Sequence, residues 1–223
     1  IRENANIELE AQLFFAKVFE ERRAAPQNDL MSAFVHSQTE DEDPLSMHEL
    51  QNMMHQLITG GFETTQSAIN HGMWALIRYP ELVAKLKEDA LLLKPFIEEV
   101  LRWEAPVQFL ARRATKDVEL NGTLIPKDSM ILVGYGPASR DESKFACPHQ
   151  FDIERDNAVK HLAFGLGRHT CIGKPVALMQ LKEVYKQILT RFPDMKMDGD
   201  WKVAPNNFVH AIQEMPVSFT PEK

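Results

Sequence analysis

The sequence predicts a mainly α-helical fold carrying small β-hairpins, an α+β arrangement organised around one very long helix. Three observations carry that expectation. A capping box at Ser46 and Glu49 opens a helical pattern that continues to Tyr79, where Pro80 stops it. A second long helical pattern covers about Gly173 to Arg191. Asn121-Gly122 lies between two short extended runs, the strongest short-range hairpin signal a sequence offers.

The elements follow in order. Ile7, Ala11, Phe14, Phe15, Val18 and Phe19 recur at three- and four-residue spacing, which predicts an amphipathic helix ending before Pro26. Asp29 is placed to cap a short helix through His36, and the acidic stretch from Thr39 to Pro44 reads as a solvated turn. At about 1.5 Å per residue, the helix from Ser46 is roughly 50 Å long. Leu50, Met53, Met54, Leu57, Ile58, Phe62, Ile69, Met73 and Leu76 make it apolar over much of its circumference. Such a helix is expected to pass through the middle of a large domain. Gly60-Gly61 at its centre costs about 1 kcal/mol per glycine relative to alanine, so something is expected to approach the backbone there.

Two helices are predicted next, about Pro80 to Asp89 and Leu93 to Trp103, with Pro80 and Pro95 in first-turn positions and Pro106 ending the second. Asp117 to Leu120 and Thr123 to Ile125 form the hairpin, and Met130 to Val133 another strand. From Gly134 to Ala163 the pattern is irregular, and loops of that length tend to be functional. Short strands are expected around Asp198-Gly199 and Val217 to Phe219.

Composition narrows the class. With 223 residues, 44% hydrophobic and 26% charged, the chain is long enough for a sizeable core. A formal net charge of -7 gives no reason to expect nucleic acid or an anionic membrane as partner. Cys147 and Cys171 are too few for a disulfide framework and favour a reducing compartment. No apolar run approaches the roughly 20 residues needed to span a bilayer, so a cytoplasmic protein is expected. The chain opens on Ile1, already close to a helical pattern, and reads as a fragment.

The chemistry concentrates in Phe164-Gly165-Leu166-Gly167-Arg168-His169-Thr170-Cys171-Ile172-Gly173. Gly165 and Gly167 permit backbone conformations that gather N–H groups beside Cys171. A helix expected to start at the cysteine directs its positive end there and favours a thiolate. Phe164 offers a flat apolar cover against water. By itself Cys171 also reads as a buried structural cysteine. The segment, however, holds every fixed position of Phe-x-x-Gly-x-His-x-Cys-x-Gly and resembles the haem-binding loop of the cytochrome P-450 family. The order of long helix, Glu-x-x-Arg helix, hairpin, meandering loop and cysteine loop is also similar to that family, from about Asp29 to Phe219.

The resemblance implies the cytochrome P-450 fold, C-terminal portion only, over residues 1–223, with haem b (iron protoporphyrin IX) as cofactor and Cys171 as axial ligand to its iron. It implies that Phe164, Gly165 and Gly61 lie against the haem, and that His169 and Arg112 hold its propionates. Spacing to Asp117 in the family picks Arg112 over Arg113. Glu63 and Thr64 follow Gly60-Gly61 as the family's acid-alcohol pair and would relay protons in oxygen activation; alone, Thr64 also reads as a hydroxyl bonded back to the carbonyl of Gly60. Glu99 and Arg102, three apart on one helix, read alone as a surface ion pair. The resemblance makes them structural partners of Arg155 in the long loop.

Leu57, Ile58 and Gly61, the run Val107 to Leu110 with Phe109, and Phe208 are implied as substrate walls. The implied activity is monooxygenation of a small organic substrate, with electrons from NAD(P)H through a ferredoxin or flavin reductase. Family members are considerably longer, so the chain is expected to lack an N-terminal half. Bare apolar surface on Phe14, Phe15, Phe19 and the long helix is then expected to recruit that half or drive self-association. Two other readings use the same residues: a non-catalytic fragment with weak or no haem binding, and a zinc module in which Cys147, His149, His169 and Cys171 supply four ligands.

Overall fold

The computed structural model describes residues 2–37, 43–192, 194–206 and 208–220. Its contacts divide the chain into two compact units, Ile1–Gly60 and Gly61–Lys223. The dividing point falls within the long helix, at the glycine pair.

In the first unit, α1 (Arg2–Ala24) and α2 (Leu30–Val35) pack with the opening part of α3 (Met47–Arg78). Both predicted caps are formed. The Asp29 carboxylate accepts from the Ser32 N–H at 2.8 Å, and Glu49 accepts from the Ser46 N–H at 2.8 Å while Ser46 Oγ accepts from the Glu49 N–H at 3.3 Å. Most of the acidic turn expected from Thr39 to Pro44 lies outside the described residues. Phe15, Phe19 and Leu50 form the small core of this unit. That corrects the expected bare patch: Phe15 and Phe19 are buried within their own unit, and only Phe14 of the three is exposed.

The second unit contains the rest of α3 together with α4 (Glu81–Glu88), α5 (Leu93–Trp103), α6 (Tyr135–Ala138) and α7 (Lys174–Arg191). Its core is apolar side chains from α3, α5 and α7, including Leu76, Phe96, Val100, Leu101, Leu181, Tyr185 and Ile188. Tyr185 is fully buried, and its hydroxyl donates to the Ala68 carbonyl at 2.6 Å. Burial pushes that phenol's pKa well above its ordinary value. Gly72 makes the contact possible, because a Cβ there would overlap the Tyr185 hydroxyl and ring.

Eight strands, β1 (Phe109–Arg113), β2 (Val118–Leu120), β3 (Thr123–Ile125), β4 (Met130–Gly134), β5 (Lys196–Met197), β6 (Lys202–Val203), β7 (Ile212–Glu214) and β8 (Val217–Ser218), form four antiparallel pairs among the described residues: β1 with β4, β2 with β3, β5 with β8, and β6 with β7. The hairpin at Asn121-Gly122 has positive φ at both turn residues, 49° and 78°, as a type I′ turn requires. Two strands were omitted from the sequence reading, Phe109 to Arg113 and β7, whereas the short strands expected around Asp198-Gly199 are β5 and β6 on either side of it. Residues 58–62 of α3 are exposed in this chain, with Phe62 at 76%.

Candidate functional site

The cysteine loop is built by backbone geometry. Gly165 and Gly167 sit at φ 67° and 71°, in the left-handed region where a side chain is strained. These turns bring the Cys171 N–H to the Phe164 carbonyl at 2.8 Å, closing the loop on itself. A Cβ on Gly165 would meet the His169 carbonyl at 3.4 Å and the Tyr135 ring at 3.9 Å, so the loop packs close beside the start of α6. Cys171 is a free, exposed thiol, and Ile172 beside it is 87% exposed. Leu166, Val176 and Met179 near it in the chain are exposed apolar residues too. The expected helix start is corrected: α7 begins at Lys174, capped by Gly173, and the Cys171 carbonyl accepts from the Lys174 N–H at 3.3 Å. Phe164 is half-buried, with Lys174 Nζ over its ring, and leaves the thiol open in this chain.

A buried ionic network holds the approach to this loop. Glu99 and Arg102 are both 0% exposed on α5. The guanidinium donates to the carboxylate through Nε and Nη2, each at 2.7 Å, a bidentate pair. It also donates to the carbonyls of Ser139 (3.1 Å), Pro148 (2.8 Å) and Gln150 (3.1 Å). Arg155 reaches Glu99 through Nε at 3.4 Å and the carbonyls of Ala146, Cys147 and Gln150 through its other nitrogens. The three residues named from sequence therefore meet, and they tie α5 to the long loop. The surface ion-pair reading does not hold.

A second anchor escaped sequence reasoning. His161 Nδ1 accepts from the Ala163 N–H at 3.1 Å, which leaves Nε2 to carry the proton it gives to Glu98, 3.0 Å away. The Leu162 N–H donates to Ser139 Oγ at 3.1 Å. The Glu98 carboxyl lies below its ordinary pKa, because the hydrogen bond from His161 outweighs burial. These contacts fix residues 161–163 immediately before Phe164. The only signal in the sequence was Glu98 beside Glu99, which carries nothing without the fold.

Arg112 is half-buried on β1, with Nη2 3.4 Å from the Tyr135 hydroxyl. Through Tyr135 and Gly165, Arg112 and the His169 backbone belong to one neighbourhood. Arg113 points the other way and pairs with Asp128 at 2.9 Å. By the same strand alternation, Phe109 and Leu110 project from opposite faces of β1. Val107 pairs with Val209, and the Gln108 N–H donates to the Phe208 carbonyl at 3.0 Å, so Phe208 returns beside residues 107–109. Leu57 and Ile58 lie on the part of α3 within the first unit. Glu63 and Thr64 are half-buried in the helix just after Gly61, a glycine whose Cβ would meet nothing within 4 Å.

The chain matches the family described as cytochrome P450 over residues 7–216. It belongs to the cytochrome P450 family. It is 37% identical over 208 residues to cytochrome P450 monooxygenase PikC of Streptomyces venezuelae, covering 92% of this chain and 50% of that protein. It is 38% identical over 203 residues to a steroid C26-monooxygenase of Mycobacterium tuberculosis, covering 90% and 54%. Among solved structures, cytochrome P450 CYP109Q5 from Chondromyces apiculatus is similar at a TM-score of 0.90 and 35% identity, covering 96% of this chain and 55% of that one. P450BioI, solved with an acyl carrier protein bearing hexadec-9Z-enoic acid, gives 0.88 and 31%, covering 95% and 54%. The chain spans about half the length of the curated relatives it matches.

The P450 family implies haem, and the residues present fit it. An accessible thiol closes a loop whose positive φ at Gly165 and Gly167 disfavours any side chain there, and exposed apolar residues Leu166, Ile172 and Val176 lie near it in the chain. Cys171 would hold the iron, and Arg112 with His169 would take the propionates. The four-ligand zinc reading is corrected. Among the described residues, Cys147, His149, His169 and Cys171 do not gather, and the one potential ligand group is His71, Glu104 and His210. No described helix is long and apolar enough to cross a membrane.

Proposed function

We propose that residues 1–223 are the C-terminal, haem-binding portion of a P450 monooxygenase that acts on a small organic substrate. The observation that carries this reading is the exposed Cys171 thiol in its glycine-formed loop, held by buried partners on α5. Haem b, when bound, supplies the redox chemistry that places one oxygen atom of dioxygen in the substrate and the other in water. The electrons come from NAD(P)H through a ferredoxin or flavin reductase.

The chain's own residues have distinct tasks. Cys171 presents its exposed sulfur to the haem iron. Arg112 and His169 neutralise carboxylates at the cofactor's edge. The Thr64 hydroxyl holds a proton near the site of oxygen activation, and the Glu63 carboxyl replenishes it. Val107, Phe109 and Phe208 contribute apolar walls. Glu99, Arg102 and Arg155 position the loop and take no part in the chemistry. The relatives are about twice as long, so the enzyme is completed by a further segment or chain.

The test is the absorption spectrum of the reduced, haem-reconstituted chain under carbon monoxide, which reports thiolate ligation. Cys147→Ser retains the thiolate signature, whereas Cys171→Ser loses it. An unaltered spectrum in the Cys171 variant refutes the assignment.

A further inference from the structure

Three potential ligands converge away from the cysteine loop: His71 on α3, Glu104 just after α5, and His210 just before β7. One ligand atom from each lies within 4.8 Å of the others. His71 is 2% exposed. Its Nδ1 lies 2.8 Å from the Ser67 carbonyl, an acceptor only, so Nδ1 carries the ring proton and Nε2 is a bare lone pair. That Nε2 is buried and has no hydrogen-bond partner among the described residues. An unmatched buried polar atom costs about 1–3 kcal/mol, and a bound ion is one way a fold satisfies it.

The other two groups are held ready. In the empty site His210 Nδ1 donates to Glu104 Oε2 at 2.9 Å, a proton that an incoming metal ion displaces, and the His71 and His210 rings are 4.8 Å apart between centroids. Arg140 donates to Glu104 Oε1 at 2.7 Å, which orients the carboxylate and leaves Oε2 toward the histidines. Glu104 and His210 also line a cavity of about 430 Å³ with Trp103, Gln108, Phe109 and Arg140.

We propose that His71 Nε2, Glu104 Oε2 and His210 Nδ1 bind a divalent transition-metal ion of the zinc class, with a fourth coordination position open to that cavity. Two neutral imidazoles and one carboxylate are the donor set of a three-ligand zinc site. Magnesium and calcium are disfavoured, since both prefer all-oxygen surroundings. Arg140 acts as the outer partner of the carboxylate, a recurrent feature of such sites, and its charge tempers the affinity.

Zinc chloride is the probe. The chain carrying Cys147→Ser and Cys171→Ser, so that exposed thiols do not compete, is titrated by equilibrium dialysis and measured at the zinc absorption edge. One zinc per chain is expected, with a nitrogen and oxygen shell at about 2.0–2.1 Å. His210→Ala alters a half-buried side chain, and its fold is checked by circular dichroism; it weakens binding at least tenfold. His210→Gln, which keeps a hydrogen bond to Glu104, weakens it equally and decides the matter should His210→Ala misfold. Failure to take up stoichiometric zinc, or a loss smaller than tenfold in the folded variant, overturns the proposal.

Discussion

Replacing Glu99 with glutamine keeps the shape of a fully buried side chain while removing its charge. Its Oε1 accepts from Arg102 Nη2 at 2.7 Å, the Asp152 N–H at 2.9 Å and Arg155 Nε at 3.4 Å, and Oε2 accepts from Arg102 Nε at 2.7 Å. The glutamine amide would turn an NH₂ toward one of these donors, so two donors face each other and the buried guanidinium loses its counter-charge. Breaking a buried pair in this way costs about 3–5 kcal/mol. Domain stabilities are about 5–15 kcal/mol, so this is a large fraction of the total. Urea unfolding followed by tryptophan fluorescence suits the measurement. Trp74, Trp103 and Trp201 all lie in the second unit, and Trp103 Nε1 donates to the His149 carbonyl within the loop that Arg102 secures. A loss below about 0.5 kcal/mol, the size of an ordinary surface change, would refute the argument that this network carries the loop.

Two further outcomes follow from the same geometry. The Glu98 carboxyl is depressed by His161 below its ordinary value of 4.5, so its contribution is fully present above that value and is lost as pH falls through the folded value. Acid titration of the Glu98→Gln variant should show a flatter loss of stability over that range, and an unchanged acid limb would dismiss the pair. Gly61→Ala should stabilise the chain by up to about 1 kcal/mol, because a Cβ there meets nothing, yet weaken haem retention; equal haem loss rates for variant and parent would remove Gly61 from the site.

Features that depend on local chemistry were legible in the sequence. The capping box at Ser46 and Glu49, the Asn121-Gly122 hairpin and the glycine-formed cysteine loop are each specified within ten consecutive residues, and each stands where it was expected. The burial of Glu99 and Arg102 was legible only through family resemblance, since spacing alone describes a surface pair equally well. Elements that depend on distant pairing were missed. β1 is extended because β4 lies beside it, with Arg112 opposite Ile131, and nothing in Phe-Leu-Ala-Arg-Arg alternates clearly. Burial of Phe15 and Phe19 was missed for a related reason. A helical stripe reveals that a face is apolar and not what covers it, and here the cover comes from α2 and the opening of α3.

The two classes of residue differ in a way that bears on mechanism. Glu98, Glu99, Arg102 and His161 are buried and fully engaged, and their bonds converge on the loop from Ser139 to Ala163. Cys171, Leu166 and Ile172, a few residues later, are exposed. A ligand atom that must meet a bulky cofactor has to stay accessible, so it cannot draw its rigidity from being packed over. It draws that rigidity from the preceding segment, where charges are taken out of water and each is given a partner. Such a scaffold is costly to form, and removing one member leaves the others uncompensated. The segment before the cysteine is therefore held in place by buried groups distinct from the exposed thiol, and on the proposed reading positioning and chemistry are open to separate mutation.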